Sequence, residues 1–323
     1  LFLLIFASLS IISTLILSFI SKDSFVLASI YFSISLLGFM MSNVFYDSML
    51  LNFESHKYDK ISSMGYALGY LGGGLAFVFT LIFLYFNSES TIEIISSNKI
   101  SFIFAASWWL IFMIPLFLYW PEQKIDSKST SLLDTFKEIK SIKPIFLFLL
   151  AYWIYIDGVD TIIRMAINYG LTLGFSSSDL LIALLVTQFV AFPGTLVINK
   201  ISEYFTCEFA IIGCLIMYLV ITILAYSLDS IFEFYLIASL IGLVQGGIQA
   251  LSRSYYARLI PNNKHSEYFG IYNMLGKFAA LIGPLIVGLI TYLTHDPRLG
   301  MLSIGLFFIT GIILFNISRT INK

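Results

Sequence analysis

The chain has 323 residues, 59% hydrophobic and only 11% charged, with a mean hydropathy of +0.91. A soluble protein of this length needs far more charge to cover its surface, so the composition describes a polytopic membrane protein. The formal net charge of −1 does not point to nucleic acid, and no basic cluster of the density a nucleic-acid binder needs is present; two cysteines cannot frame a disulfide scaffold.

Runs free of Asp, Glu, Lys and Arg mark spans at 1–21, 24–46, 61–88, 100–121, 180–199, 209–228, 234–252 and 299–318. Each is near or above the roughly 20 residues that cross ~30 Å of hydrocarbon. Two more are interrupted by charge: 144–170, carrying Asp157, Asp160 and Arg164, and 268–294, carrying Lys277. That makes ten expected spans. Leu1 already lies inside an apolar run, with no initiating Met, basic stretch or cleavage site before it, the pattern expected of an N-terminally truncated chain.

Loop charges orient the spans. Taken alternately, one set of loops carries thirteen of the 18 Lys and Arg residues, the other only Lys22, Lys99 and Arg298. The positive-inside rule places the richer set in the cytoplasm. Its longest member, 122–143, is lysine-rich and carries Leu132, Leu133, Phe136 and Ile139 at helical spacing, as in an interfacial amphipathic helix or a solvated linker with a short helix.

A shift of 207 residues overlays the hydropathy of 1–20, 25–50 and 62–86 on 208–227, 232–257 and 269–293. Repeats of one orientation make the two halves of major facilitator transporters. The second half then has six spans and the first only four. The fold class expected is therefore all-α and polytopic, the major facilitator fold, with spans 3–12 of twelve present and about 60 residues missing before Leu1. The corresponding domains are an N-terminal half-bundle at 1–121, a cytoplasmic linker at 122–143 and a six-span bundle at 144–323.

Intramembrane polar residues are the candidate site. Charges at bilayer depth cost about 2.5–3.5 kcal/mol each on insertion scales and are seldom left without a task. Asp157, Asp160 and Arg164 share one helical face, and Asp160 and Arg164 are spaced to pair. Asp157 is the candidate coupling carboxylate, the alternative being a structural ion pair with Arg164 reaching to the outer interface. Gly158 offers a place for the helix to break. Gln245 and Gln249, one turn apart, have amides suited to a zwitterion or to helix–helix bonding, and Gln188 reads the same way. Lys277 lies roughly 13 Å along its helix from Tyr268, with Asn273 one turn before it; it pairs with a solute carboxylate or an acidic side chain, or it snorkels. Asn43, Asp47 and Arg253, near cytoplasmic span ends, are gating candidates. Tyr152, Trp153 and Tyr155 either stack on a ligand or pack. Gly65, Gly69 and Gly73, like Gly242 and Gly246, read as small-residue packing faces rather than a phosphate loop, because no Lys-Ser/Thr follows. Cys207 and Cys214 read as inert buried thiols. His56, His265 and His295 are not spaced for a metal, and no cofactor is expected.

Several runs resemble a family of major facilitator proteins related to fungal vacuolar amino-acid effluxers linked to autophagy. They are ISSMGYALGYLGGG (61–74), YIDGVDTIIRMAINYG (155–170), LGFSSSDLLIALLVTQFVAFPG (173–194), GLVQGGIQALSRSYYARLIP (242–261) and EYFGIYNMLGKFAALIGP (267–284). The resemblance implies a twelve-span fold and movement of small solutes, amino acids among them. The chain departs from the pattern in lacking the first two spans and the basic–acidic loop between spans two and three. The second-half counterpart of that loop, Gly194 through Lys200 and Glu203, is degenerate.

The expected function is a non-enzymatic secondary transporter of a small polar solute, working by alternating access, with lipid, solute and protons as partners and no nucleic acid. The alternatives are a non-transporting membrane receptor or scaffold that uses the 122–143 loop, or an inactive transporter fragment. A membrane enzyme ranks third, because no nucleophile–base pair or metal motif is present. The absence of a large extra-cytoplasmic domain points to a multi-pass protein of a bacterial inner membrane.

Overall fold

In lipid every backbone N–H and C=O must be bonded within the chain, so long apolar runs have to become helices. A computed structural model describes residues 2–21, 23–86, 91–119, 132–261 and 265–322. Its regular structure is wholly helical among the described residues. The helices are α1 (Phe2–Leu17), α2 (Phe25–Ser48), α3 (Tyr58–Phe86), α4 (Thr91–Tyr119), α5 (Leu132–Ser141), α6 (Lys143–Thr172), α7 (Ser177–Tyr204), α8 (Cys207–Tyr226), α9 (Ile231–Leu259), α10 (His265–Thr294), α11 (Pro297–Ser303) and α12 (Gly305–Asn322). Nine stretches among the described residues are long and apolar enough to cross a membrane, and α1, with 16 residues, is a shorter tenth. The span expected at 299–318 is divided: α11 ends at Ser303 and α12 starts at Gly305.

Local chemistry fixes the helix ends. Ser176, Thr206 and Asp296 cap α7, α8 and α11 by accepting from the backbone N–H groups of Asp179, Phe209 and Arg298. Ser230 and Glu233 form a reciprocal capping box on α9. Gly174, at φ +88°, ends α6: the N–H of Phe175 donates to Gly170 O and that of Gly174 to Leu171 O, so two end carbonyls are satisfied in the left-handed turn that favours glycine. The short helix that both readings of the linker allow is α5, with Ile139 buried and Leu133 and Phe136 exposed. The linker residues 122–131 lie outside the described residues.

The helices sort into two compact units, one of residues 1–49 and 73–128, the other of 50–72 and 129–323, so α3 contributes to both. In the first unit α1 packs on α2 and α4. Gly38 of α2 brings the helices together, since a Cβ there would lie 2.8 Å from Phe6 O, and Ser10 and Thr14 bond to Ser35 beside it. In the second unit α7 packs on α9, α12 on α6, α8 on α9 and α10 on α6.

Small residues make the α7–α9 crossing close. A Cβ on Gly194 would meet Leu243 O at 2.6 Å, and one on Gly242 would meet Thr187 O at 2.6 Å. The packing face expected from Gly242 and Gly246 is therefore present. On α3, by contrast, nothing lies within 4 Å of a Cβ at Gly69, Gly72 or Gly73 among the described residues. Gly158 does not break its helix either. α6 runs unbroken, and Gly158 instead lets Phe308 of α12 approach to 2.9 Å from where a Cβ would stand.

An aromatic column fills the core of the second unit. Tyr152 stacks on Tyr272 at 4.2 Å, Tyr272 on Tyr256 at 5.0 Å, and Phe148 on Tyr256 at 5.8 Å. Tyr152 and Tyr155 therefore belong to the packing. Cys207 and Cys214 are buried free thiols, as expected.

Candidate functional site

Asp157 lies halfway along α6 and is 2% exposed. Its carboxylate accepts from the backbone N–H of Gly283 on α10, at 2.9 Å to Oδ1 and 3.2 Å to Oδ2, and from the Thr161 hydroxyl at 3.3 Å. Pro284 follows inside α10 and supplies no N–H of its own, so Gly283 is the last N–H donor before it. A Cβ at Gly283 would collide with the Thr161 hydroxyl and lie 2.8 Å from Asp157 Oδ1, so a side chain there would displace the carboxylate.

Asp160 is half-buried, and Arg164, one turn further, is exposed. No Asp160–Arg164 contact within 4 Å is found among the ion pairs of the described residues, although their spacing allows one. Instead the charges of Arg164 and Lys277 both reach Asp160. Asp160 in turn acts on the hydroxyls of Tyr70, Tyr152 and Tyr218.

Gln245 and Gln249 converge on Tyr70. The Tyr70 hydroxyl donates to Gln249 Oε1 at 2.7 Å, and Gln245 lies beside it. Gln245 is 8% exposed, yet its Oε1 finds no donor among the described residues, and the same holds for the buried Oε1 of Gln188 on α7. Lys277 is exposed, and Asn273, one turn before it, donates to Phe269 O of its own helix at 3.1 Å.

Toward the end of α9 a second cluster fastens it to α3. Arg253, 5% exposed, donates from Nε to Ser62 Oγ at 2.9 Å and from Nη2 to Ser62 O at 3.3 Å, and its guanidinium lies 4.8 Å above the Tyr66 ring. Ser62 Oγ donates to Ala250 O at 2.7 Å. One turn on, Arg258 pairs with Asp59 at 2.7 Å, and the Ser254 hydroxyl donates to the same carboxylate. Charged hydrogen bonds of this kind contribute about 1.5–3 kcal/mol each. A double-mutant cycle of Asp59→Asn and Arg258→Gln, read by thermal unfolding, is expected to return a coupling energy in that range, and strictly additive single variants would refute the pairing. The other gating candidates, Asn43 and Asp47, lie one turn apart on α2 in the first unit, Asn43 half-buried and Asp47 7% exposed. Among the described residues no group of three or more His, Cys, Asp or Glu could hold a metal ion.

Residues 51–322 match the family described as vacuole effluxer Atg22 like. The chain belongs to this family. It is 35% identical over 320 residues to the uncharacterized MFS-type transporter YxiO of Bacillus subtilis, covering 96% of this chain and 75% of that one. It is 27% identical to autophagy-related protein 22 of Vanderwaltozyma polyspora, covering 80% of this chain but only 56% of the fungal protein. Among solved structures, the Escherichia coli fucose:proton symporter FucP superposes with a TM-score of 0.77 at 12% identity, over 98% of this chain and 83% of that one. A bacterial homologue of the iron transporter ferroportin gives 0.59 at 13% identity, over 95% and 82%. At such identities the likeness shows the fold, which is the major facilitator fold. The Atg22-like chain is thus a multi-pass membrane protein of a family of transporters, not of enzymes.

Sequence reasoning missed the α3 side of both clusters. Asp59, Ser62, Tyr66 and Tyr70 recur every three or four residues on one helical face, and that spacing was the available signal. Their partners lie 179 to 199 residues away in sequence, so pattern alone does not reveal the pairing.

Proposed function

We propose that this Atg22-like chain acts as a secondary active transporter of a small zwitterion, an amino acid, by alternating access, with Asp157 carrying the coupling proton. One observation supports the solute class most: among the described residues Gln245 Oε1 is buried without a donor, beside Tyr70, on whose hydroxyl the charge of Asp160 acts. A buried polar atom left unbonded costs about 1–3 kcal/mol, so it is a natural contact for a bound solute's N–H. In this reading Asp160 takes the ammonium, Lys277 and Arg164 draw the carboxylate, and the two glutamine amides, each both donor and acceptor, fix the orientation. The α3–α9 fastening by Arg253 and Arg258 serves as the gate that must open in each cycle. The Bacillus relative favours a bacterial plasma membrane as the location. The receptor or scaffold alternative gains no support from relatives of this kind.

The test is uptake of a panel of labelled amino acids by proteoliposomes holding the purified protein. Gln245→Leu is expected to raise KM for the transported solute about tenfold, equivalent to about 1.4 kcal/mol of lost binding, with kcat changed less. An unchanged KM for every solute carried would remove Gln245 from the binding site. Failure of any amino acid to move, with a different solute carried, would overturn the solute class.

A further inference from the structure

A cavity of about 430 Å³ opens where the first turns of α6 and α8 meet the last turn of α9, lined among others by Asp59, Pro144, Glu208, Tyr255 and Arg258. It lies on the side that loop charges assign to the cytoplasm, and its size is that of a small-molecule site. None of the proposed solute-binding residues lines it. Its polar groups are unevenly used. Arg258 is held by Asp59 at 2.7 Å. Glu208 is half-buried and has no partner among the ion pairs of the described residues. Tyr255 is 4% exposed, and its hydroxyl has no hydrogen-bond partner among the described residues. The first turn of α6 is also open: its N-cap, Ile142, offers no side-chain bond, and Pro144 follows within that turn.

The lining therefore presents two carboxylates against one guanidinium, with an unused phenol hydroxyl between them and an uncapped helix start that favours negative charge. We infer that this cavity binds a small zwitterion, its primary ammonium on Glu208 and the Tyr255 hydroxyl and its anionic group on Arg258 and the first turn of α6. A plain anion would meet Glu208 unpaired, and a plain cation would leave the helix start unmet. A zwitterion meets Glu208 with its ammonium and the helix start and Arg258 with its anionic group, and by drawing on Arg258 it loosens the Asp59 contact that ties α3 to α9. Binding here is independent of which solute is transported. The same chemistry is offered by an ethanolamine phospholipid headgroup and by a free zwitterion of the cytosol.

The test titrates O-phosphoethanolamine into the purified protein in phosphatidylglycerol nanodiscs and follows binding by calorimetry. Saturable binding is expected, weakened at least tenfold by Glu208→Gln and in the same direction by Tyr255→Phe, with unfolding temperatures that certify both variants as folded. Phosphocholine, which has no N–H to donate, is expected to bind at least tenfold more weakly. Loss of the added ligand's binding in phosphatidylethanolamine nanodiscs assigns the site to the lipid headgroup, and undiminished binding assigns it to the free zwitterion. Absence of saturable binding in phosphatidylglycerol, or equal affinity in the wild type and Glu208→Gln, overturns the inference.

Discussion

Alanine at Gly194 is expected to lower the unfolding temperature of the purified protein, whereas alanine at Gly213, in mid-helix, is expected to leave it unchanged or raise it. The two glycines differ in what a methyl group would meet. At Gly213 nothing lies within 4 Å, while at Gly194 the Cβ would lie 2.6 Å from Leu243 O and 2.7 Å from Leu243 Cα. Those are backbone atoms in mid-helix, so relief requires α7 and α9 to part. Overpacking of this kind costs about 1–3 kcal/mol, and helix association in membranes rests on close packing because lipid supplies no hydrophobic drive between helices. Gly246→Ala behaves differently in a way that checks the geometry. Its obstacle is the Thr195 hydroxyl, a side-chain atom that donates to Ala191 O of its own helix. Thr195→Ala should therefore recover part of the stability lost in Gly246→Ala and none of that lost in Gly194→Ala. Equal unfolding temperatures for Gly194→Ala and Gly213→Ala would show that the crossing is looser than described.

The contrast between these glycines also marks how far the sequence could be read. Hydropathy and charge located the helices, since a helix in lipid is dictated by its own residues. Periodicity found Gly242 and Gly246, but it equally proposed Gly69 and Gly73, where a Cβ would meet nothing within 4 Å among the described residues. Spacing shows that small residues recur on a face; it does not show whether another helix comes to that face. The same limit governs the site. The α6 motif and the glutamines of α9 were visible because charge and amide are rare in apolar spans. Their partners were not, because Gly283 contributes only a backbone N–H and Tyr70 looks like any other interfacial aromatic. Asp160 shows the same limit. Spacing pointed to Arg164, whose charge does act on Asp160, but it did not show that the charge of Lys277 from α10 reaches Asp160 as well.

Asp157→Asn is expected to abolish solute accumulation driven by a pH gradient while sparing equilibrium exchange of the same solute across the proteoliposome membrane. The hydrogen bonds around Asp157 explain why this substitution separates coupling from folding. The Gly283 N–H can donate to a carboxylate or to the C=O of a protonated carboxyl group, and the Thr161 hydroxyl can donate to the first or accept from the second. The carboxyl group can therefore change charge without giving up its link between α6 and α10. Asparagine keeps an oxygen for Gly283 and an N–H for Thr161, and so imitates the protonated state permanently. Asp157→Ala is a different experiment. It strands the Gly283 N–H in a buried position, at a cost of about 1–3 kcal/mol, and should lower stability as well as flux. If Asp157→Asn retained gradient-driven accumulation at the wild-type level, the carboxyl group would be only a tie on the Pro284 segment of α10, and the coupling proton would have to be carried elsewhere. Asp160 is then the remaining acid of the α6 motif, and Asp160→Asn with the same two assays would decide whether it carries the proton or only binds the solute.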